Sequence, residues 1–222
     1  PIFGNTHQKK NTKSDIRSNM DDGKIIGHGD FKYRINKKWG TQSLGEYPVM
    51  DCHEMVQDKA GRLLLLTNHP KNNMIIYDKS GKVLDTWTLG LDGAHGLTIS
   101  NDGGEEFLYI ASTTDHKVFK TDLNGKILLE LDYPKETGKY DSPEKYLPTE
   151  TAIGPNGDIY VADGYGQDYI IQYSSKGEFI RFWGGKGEDD NNFDCCHGVT
   201  LDDRDKGNPT LLITSRSKQE FK

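Results

Sequence analysis

The chain is poor in the features that would send it to a membrane, to nucleic acid or to a disulfide scaffold. Three cysteines stand among 222 residues, Cys52, Cys195 and Cys196. An odd count with two adjacent members does not describe a disulfide framework, and small apolar strand residues are the simpler reading. No segment approaches the ~18 consecutive apolar residues of a spanning helix, and no charged-then-apolar secretion signal stands at the N-terminus. A basic excess is also missing: 28 Lys and Arg face 34 Asp and Glu, a formal charge of −6. Nucleic-acid binders usually carry a basic stripe, so no nucleic-acid partner and no membrane span are expected. Sustained 3.6-residue apolar periodicity is absent too, which excludes a helical array.

What is present is a repeat. Four segments align, starting at Cys52, Ala94, Thr149 and Cys196. Each opens with a short strand (EMVQD, GLTIS, TAIGP, GVTLD) that ends in a polar Gly/Asp/Asn turn, where such residues tolerate tight-turn dihedrals. An apolar run follows at 63–66, 107–111, 159–162 and 211–214, as suits a strand buried on both faces. Three copies then add a third strand (NMIIYD, KVFKTD, YIIQYS), a turn closed by Gly81, Gly125 or Gly177, and a fourth strand. Taking His53, His95, Glu150 and His197 as equivalent, the spacings are 42, 55 and 47. Four strands on a 40–55-residue period mean all-β propeller blades. The blades begin near residues 47, 94, 147 and 194.

The ends extend this reading. Phe31–Gly40, FKYRINKKWG, resembles GEFIRFWG at 177–184, an outermost strand leading into the next blade. It is therefore predicted to be the outer strand of a closing blade whose other strands lie beyond Lys222, because rings are often sealed by a blade built from both chain ends. About four blades of a six-bladed ring are expected, with roughly two missing. The predicted organisation is a polar, flexible arm over residues 1–24 and a partial propeller over 25–222.

The first strand of every propeller blade lines the central channel, so equivalent positions converge on the axis. His53, His95 and His197 share one slot in three blades, with Glu150 in the fourth. Converging imidazoles suit Zn²⁺, and a carboxylate could add a ligand or a second-layer hydrogen bond. Histidines that only hydrogen-bond channel water fit the same positions. His7, His28 and His116 read as surface residues.

The stretches AHGLTIS, LPTETAIGPNGDIYVADGYGQDYIIQY, GEFIRFWG and CHGVTLD resemble the NHL-repeat propellers, and among them peptidyl-α-hydroxyglycine amidating lyase and its uncharacterised bacterial relatives. The resemblance runs over about residues 47–222. It implies a six-bladed propeller that cleaves peptidyl-α-hydroxyglycine to a peptide amide and glyoxylate. Three histidines from alternate blades hold zinc in that family; the positions before GLTIS and GVTLD match His95 and His197, and the third belongs to a sixth blade. The family's active-site tyrosine matches Tyr165 in DGY, and an arginine after the second strand of the fourth blade matches Arg216. A phenolate beside a cation could serve as base to a zinc-bound hydroxyl, and an arginine could fork onto a substrate carboxylate. Two positions depart: the family's first-blade arginine aligns with His69, and His53 stands where the lyase has no histidine. A structural calcium held by backbone carbonyls is also implied, without any side-chain signature.

The leading expectation is therefore a metal-binding propeller with lyase- or hydrolase-type chemistry on a peptide or small molecule. Its sites are Tyr165, Arg216 and His69 for catalysis and His95, His197, His53 and Glu150 for metal. The alternative is a non-catalytic propeller binding a peptide, glycan or protein partner. A calcium-dependent lactonase-like propeller fits less well, since such sites are rich in Glu, Asn and Asp. By the same resemblance the location is extracytoplasmic or secreted, periplasmic if the source is bacterial.

Overall fold

The computed structural model describes residues 22–41 and 45–222. The first two strands, β1 (Ile25–His28) and β2 (Phe31–Arg34), form an antiparallel hairpin. Blade I then contains β3 (Cys52–Gln57), β4 (Leu63–Thr67), β5 (Met74–Tyr77) and β6 (Val83–Trp87). Blade II contains β7 (Ala94–Asp102), β8 (Glu105–Ser112), β9 (Lys117–Thr121) and β10 (Ile127–Leu131). Blade III contains β11 (Glu150–Ile153), β12 (Ile159–Ala162), β13 (Tyr169–Tyr173) and β14 (Phe179–Gly184). Blade IV has β15 (Cys196–Asp202), β16 (Thr210–Ser215) and the two-residue β17 (Glu220–Phe221). Every blade is an antiparallel meander in chain order. The propeller expected from the repeat is what the chain forms, with the fourth copy stopping at the start of its third strand.

The middle strands are buried because blades stack face to face. All four residues of β5 are buried, as are Leu64 and Leu66 of β4. Leu64, Leu66, Met74 and Ile76 pack against Leu97, Leu108, Ile110 and Phe119, filling the layer between blades I and II. Tyr109, Val118 and Leu131 meet Ile159, Val161 and Ile171 in the next layer. Ala162 and Ile170 meet Val199 and Ile213 in the third. The core is thus a series of wedges between sheets, which is why continuous apolar runs, rather than alternating ones, marked these strands.

The outer strands lock neighbouring blades. In blade II, Asp122 accepts from Asn124 N and Lys126 N through Oδ1, at 2.9 Å each, and Gly125 closes the turn at φ +84°. Trp87, at the end of β6, donates from Nε1 to Leu123 O at 3.0 Å. A Cβ on Gly125 would lie 2.8 Å from the Trp87 ring, so glycine is required there on two counts. Trp39 repeats this relation with blade I, donating to Lys79 O at 3.1 Å and packing on Tyr77 at 5.1 Å between centroids.

Trp39 therefore stands where the end of an outer strand stands. The strand before it is shorter than the predicted 31–40, since β2 ends at Arg34, and it pairs with β1. The hairpin is extended by Gly23 N donating to Ile35 O at 2.8 Å, so this unit reaches back into the predicted arm. Residues 1–21, which include His7, lie outside the described residues. Two short 3₁₀ turns, Lys135–Thr137 and Pro143–Lys145, sit in the connection between β10 and β11. No helix among the described residues is long and apolar enough to cross a membrane.

Candidate functional site

Three bulges build the site. The pairing of β3 with β4 shifts between Cys52 and Glu54, that of β7 with β8 between Ala94 and Gly96, and that of β15 with β16 between Cys196 and Val199. An extra residue in one strand is left out of the ladder and re-aimed. In blades I and II that residue is His53 or His95, and in blade IV the shifted stretch contains His197. The rings gather: His53 stacks on His95 at 4.3 Å and 28°, and His95 meets His197 edge-on at 4.9 Å.

Blade III has no such bulge. Its ladder runs without a break from Glu150 opposite Ala162 to Ile153 opposite Ile159. Glu150 therefore takes the ladder place of Glu54 and Gly96, not that of the histidines, which corrects the expected equivalence. The blade III residue beside the rings is Thr149, whose carbonyl meets His95 Nδ1 at 2.9 Å.

Glu150 turns along the channel instead. Its Oε1 accepts from Thr151 N at 2.8 Å and from the Thr98 hydroxyl at 3.2 Å. Burial, and then the neighbouring Glu54 carboxylate to which it is hydrogen-bonded, raise its pKa well above the carboxylate range. Glu54 in turn accepts Leu97 N at 3.1 Å. This carboxyl pair lines a groove of about 560 Å³ between the inner strands, with Leu97, Thr98, Val199 and Thr214 among its walls.

Tyr165 and Arg216 join the histidines. The Tyr165 hydroxyl lies 2.9 Å from His197 Nε2 and 3.3 Å from His95 Nε2, and Arg216 Nη1 donates to it at 3.3 Å. The Arg216 guanidinium also covers the Tyr165 ring at 5.3 Å, a cation–π placement. A carbonyl only accepts, so His95 carries its proton on Nδ1, and its Nε2 lone pair faces Tyr165. Burial lowers the pKa of His95, against the opposing Thr149 carbonyl. Burial first, then the charges of His95, Arg216 and His53, push His197 down to about 4. Both rings are held below the ordinary imidazole pKa, and the single Tyr165 hydroxyl proton can be donated to only one Nε2 at a time.

The backbone beneath them is also specialised. Cys195 has φ +59°, and its carbonyl accepts His197 N at 2.7 Å and Arg216 N at 2.9 Å. One strained residue therefore orients both side chains. Of the cysteines, Cys195 and Cys196 are buried and Cys52 is exposed.

His69 stands apart. Its Nδ1 accepts Lys71 N at 3.2 Å in the loop after β4, and no hydrogen bond or ring contact among the described residues joins it to the cluster. No group of three or more His, Cys, Asp or Glu side chains among the described residues is set to hold a metal ion. The donor chemistry partly fits zinc, because His95 and His197 both turn Nε2 toward one hydroxyl. His53 stacks face to face on His95, and no hydrogen bond among the described residues joins it to that hydroxyl.

Homology now adds to the geometry. The chain is 39% identical over 157 residues to peptidyl-alpha-hydroxyglycine alpha-amidating lyase 1 of Drosophila melanogaster, covering 68% of this chain and 26% of that protein. It is 29% identical to the probable lyase pgal-1 of Caenorhabditis elegans, over 69% of this chain and 40% of that one. Its homologues are amidating lyases and NHL-repeat proteins. Among the latter, mouse NHL repeat-containing protein 3 is 25% identical over 85% of this chain and 58% of its own length. The chain thus spans about a quarter to three-fifths of these relatives. No protein-family model matches it. A streptogramin B lyase structure superposes with a TM-score of 0.57 at 15% identity, over 79% of this chain and 54% of that one, which supports the propeller fold alone.

Two groups that sequence reasoning passed over complete the picture. Glu54 hid because its neighbour His53 drew the metal reading. Asp163 was legible, since it occupies the place of Thr67, Ser112 and Ser215 at the end of the second strand and is the charged member of that set.

Proposed function

We propose that the chain carries the reaction centre of an amidating-lyase-type propeller, which breaks the C–N bond of a peptidyl-α-hydroxyglycine. The observation that carries this reading is the Tyr165 hydroxyl, within 3.3 Å of His95 Nε2, His197 Nε2 and Arg216 Nη1 at once. In the reaction, the substrate hydroxyl loses its proton, its oxygen becomes the glyoxylate carbonyl, and the departing amide nitrogen takes up a proton. Tyr165, bracketed by two neutral imidazoles, suits proton transfer at that hydroxyl. Arg216 donates to the Tyr165 hydroxyl and can fork onto the substrate carboxylate. Zinc, where bound, would be held by His95 and His197 and would acidify the hydroxyl as a Lewis acid. The substrate chain leaves along a cleft of about 520 Å³ between Asp141, Glu144, Lys145 and Leu147 on one side and Tyr165 and Gln167 on the other.

The test is to incubate the purified protein, with and without added zinc, with a chromophore-tagged peptidyl-α-hydroxyglycine. Peptide amide and glyoxylate should form in equal amounts and disappear in Tyr165→Phe. No cleavage under either condition sinks the proposal. A second reading, a binding propeller without turnover, is favoured by His69 standing where the lyases are expected to place an arginine. It predicts that the tagged peptide binds and stays intact.

A further inference from the structure

The connection between β10 and β11, residues 132–149, is longer than its counterparts and lies against the Tyr165 loop. Asp163 sits between the two. Its side chain is fully buried and accepts three hydrogen bonds, each of 2.7 Å. Two come from the connection, from the Tyr140 hydroxyl and from Leu147 N. The third comes from Gln167 N, on the far side of Tyr165 in the chain. The Asp163 carbonyl accepts Gly166 N at 3.2 Å and Asp168 N at 3.1 Å, so the loop 163–168 is wrapped around this one residue. Tyr165 N itself donates to Leu147 O at 3.4 Å. A Cβ on Gly166 would fall 2.1 Å from Asp163 Oδ1, which shows how closely the loop follows the carboxylate. In the other blades the same place holds Thr67, Ser112 and Ser215, each of which offers a single side-chain oxygen where Asp163 offers two. Tyr140 is itself held among aromatic neighbours, edge-on to Tyr146 at 5.5 Å and to Tyr169 at 6.2 Å.

We infer that Asp163 and Tyr140 are positioning residues, through which the 132–149 connection sets the place of the Tyr165 hydroxyl between His95 and His197. The inference rests on the reaction-centre reading for its kinetic consequence, but not for its structural one. A buried carboxylate with three donors holds its partners in one geometry, and loss of a donor leaves an acceptor unsatisfied and the loop free to settle elsewhere. Misplacement of a reacting group by about 1 Å costs up to ~100-fold in rate.

The experiment uses the whole chain with 3-fluorotyrosine placed only at position 165. Its ¹⁹F resonance is compared in the parent, in Tyr140→Phe, which removes one hydroxyl and keeps the ring, and in His116→Ala. His116 anchors the same connection through Tyr146 O at 2.8 Å without touching Asp163, so it reports general loosening. Tyr140→Phe should move or broaden the resonance, and His116→Ala should leave it in place. On peptidyl-α-hydroxyglycine, Tyr140→Phe should lower kcat by about tenfold with KM within about twofold. An unchanged resonance in folded Tyr140→Phe overturns the inference, as does an equal shift in His116→Ala. If the parent shows no turnover, the resonance still decides, so failure of the lyase reading and failure of this one are separate results. Asp163→Asn, which turns one of the two acceptor oxygens into an amide donor facing a donor, should move the resonance further than Tyr140→Phe; a smaller shift counts against it.

Discussion

His197 offers the sharpest test of the electrostatics described above. Its pKa is pushed from the ordinary 6.5 to about 4, by burial first and then by His95, Arg216 and His53. At about 1.36 kcal/mol per pH unit the gap corresponds to an upper bound of roughly 3.4 kcal/mol. The ring is only half-buried, so solvent screening reduces this to about 1–2 kcal/mol. The sign follows from proton counts. Between pH 6.5 and 4 the unfolded chain holds a proton on this ring and the folded chain does not, so stability falls as the pH drops through that window. Above 6.5 and below about 4 the contribution is flat. The measurement is urea unfolding of metal-free protein at pH 7, 5.5 and 4, for the parent and for His197→Gln. The difference between the two proteins cancels other titrating groups, including Asp163, whose carboxyl burial raises to about 7 and whose pH slope has the opposite sign. The parent should lose about 1–2 kcal/mol more than the variant between pH 7 and 4. A flat difference, or an NMR titration of His197 centred near 6.5, would refute the reasoning.

Three further outcomes are expected. Leu66→Ala, at a fully buried position between blades I and II, should cost about 2–5 kcal/mol in chemical denaturation. Arg216→Lys keeps the charge but loses the fork, so KM for a substrate ending in a carboxylate should rise about tenfold or more while the melting temperature stays put. Glu150→Gln should be close to neutral in stability, since burial and then Glu54 raise that carboxyl's pKa well above the carboxylate range and an amide can still donate to Glu54; a loss above about 2 kcal/mol would show that the ionised form is the one that matters.

The blades were readable because each repeats the same physical units, and the Gly-closed turns at 81, 125 and 177 recur at one place. The convergence of His95, His197, Tyr165 and Arg216 was readable from the same register together with the family resemblance. Glu150 was misplaced for a physical reason. A bulge adds one residue to a strand without any obligatory residue type, so aligning Thr149 with Cys52, Ala94 and Cys196 silently assumed a bulge that blade III lacks. The local pairing of FKYR with IIGH was likewise out of reach, because a short hairpin leaves no mark distinguishing its strand from one paired elsewhere.

That missing bulge is what makes the histidine cluster asymmetric. Had blade III carried the extra residue, a fourth side chain would enter the ring of imidazoles. Without it, the strand brings the Thr149 carbonyl to His95 Nδ1 and sends Glu150 toward Glu54. The carbonyl fixes which nitrogen of His95 is protonated, and so leaves Nε2 as the lone pair facing Tyr165. The displaced carboxyl turns to Glu54 rather than to the rings, and both histidines lie below their ordinary pKa, with burial the main cause in each. One residue fewer in one strand thus settles the tautomer of His95, and Gly96 shows how closely the blades must meet for this to work, since a Cβ there would lie 2.4 Å from the Thr149 oxygen. Gly96→Ala should therefore displace that carbonyl and free the His95 tautomer, which ¹⁵N chemical shifts of the His95 ring would register as a mixture of the two neutral forms; a single Nδ1-protonated form in the folded variant would show that something other than the blade III register sets the proton's place.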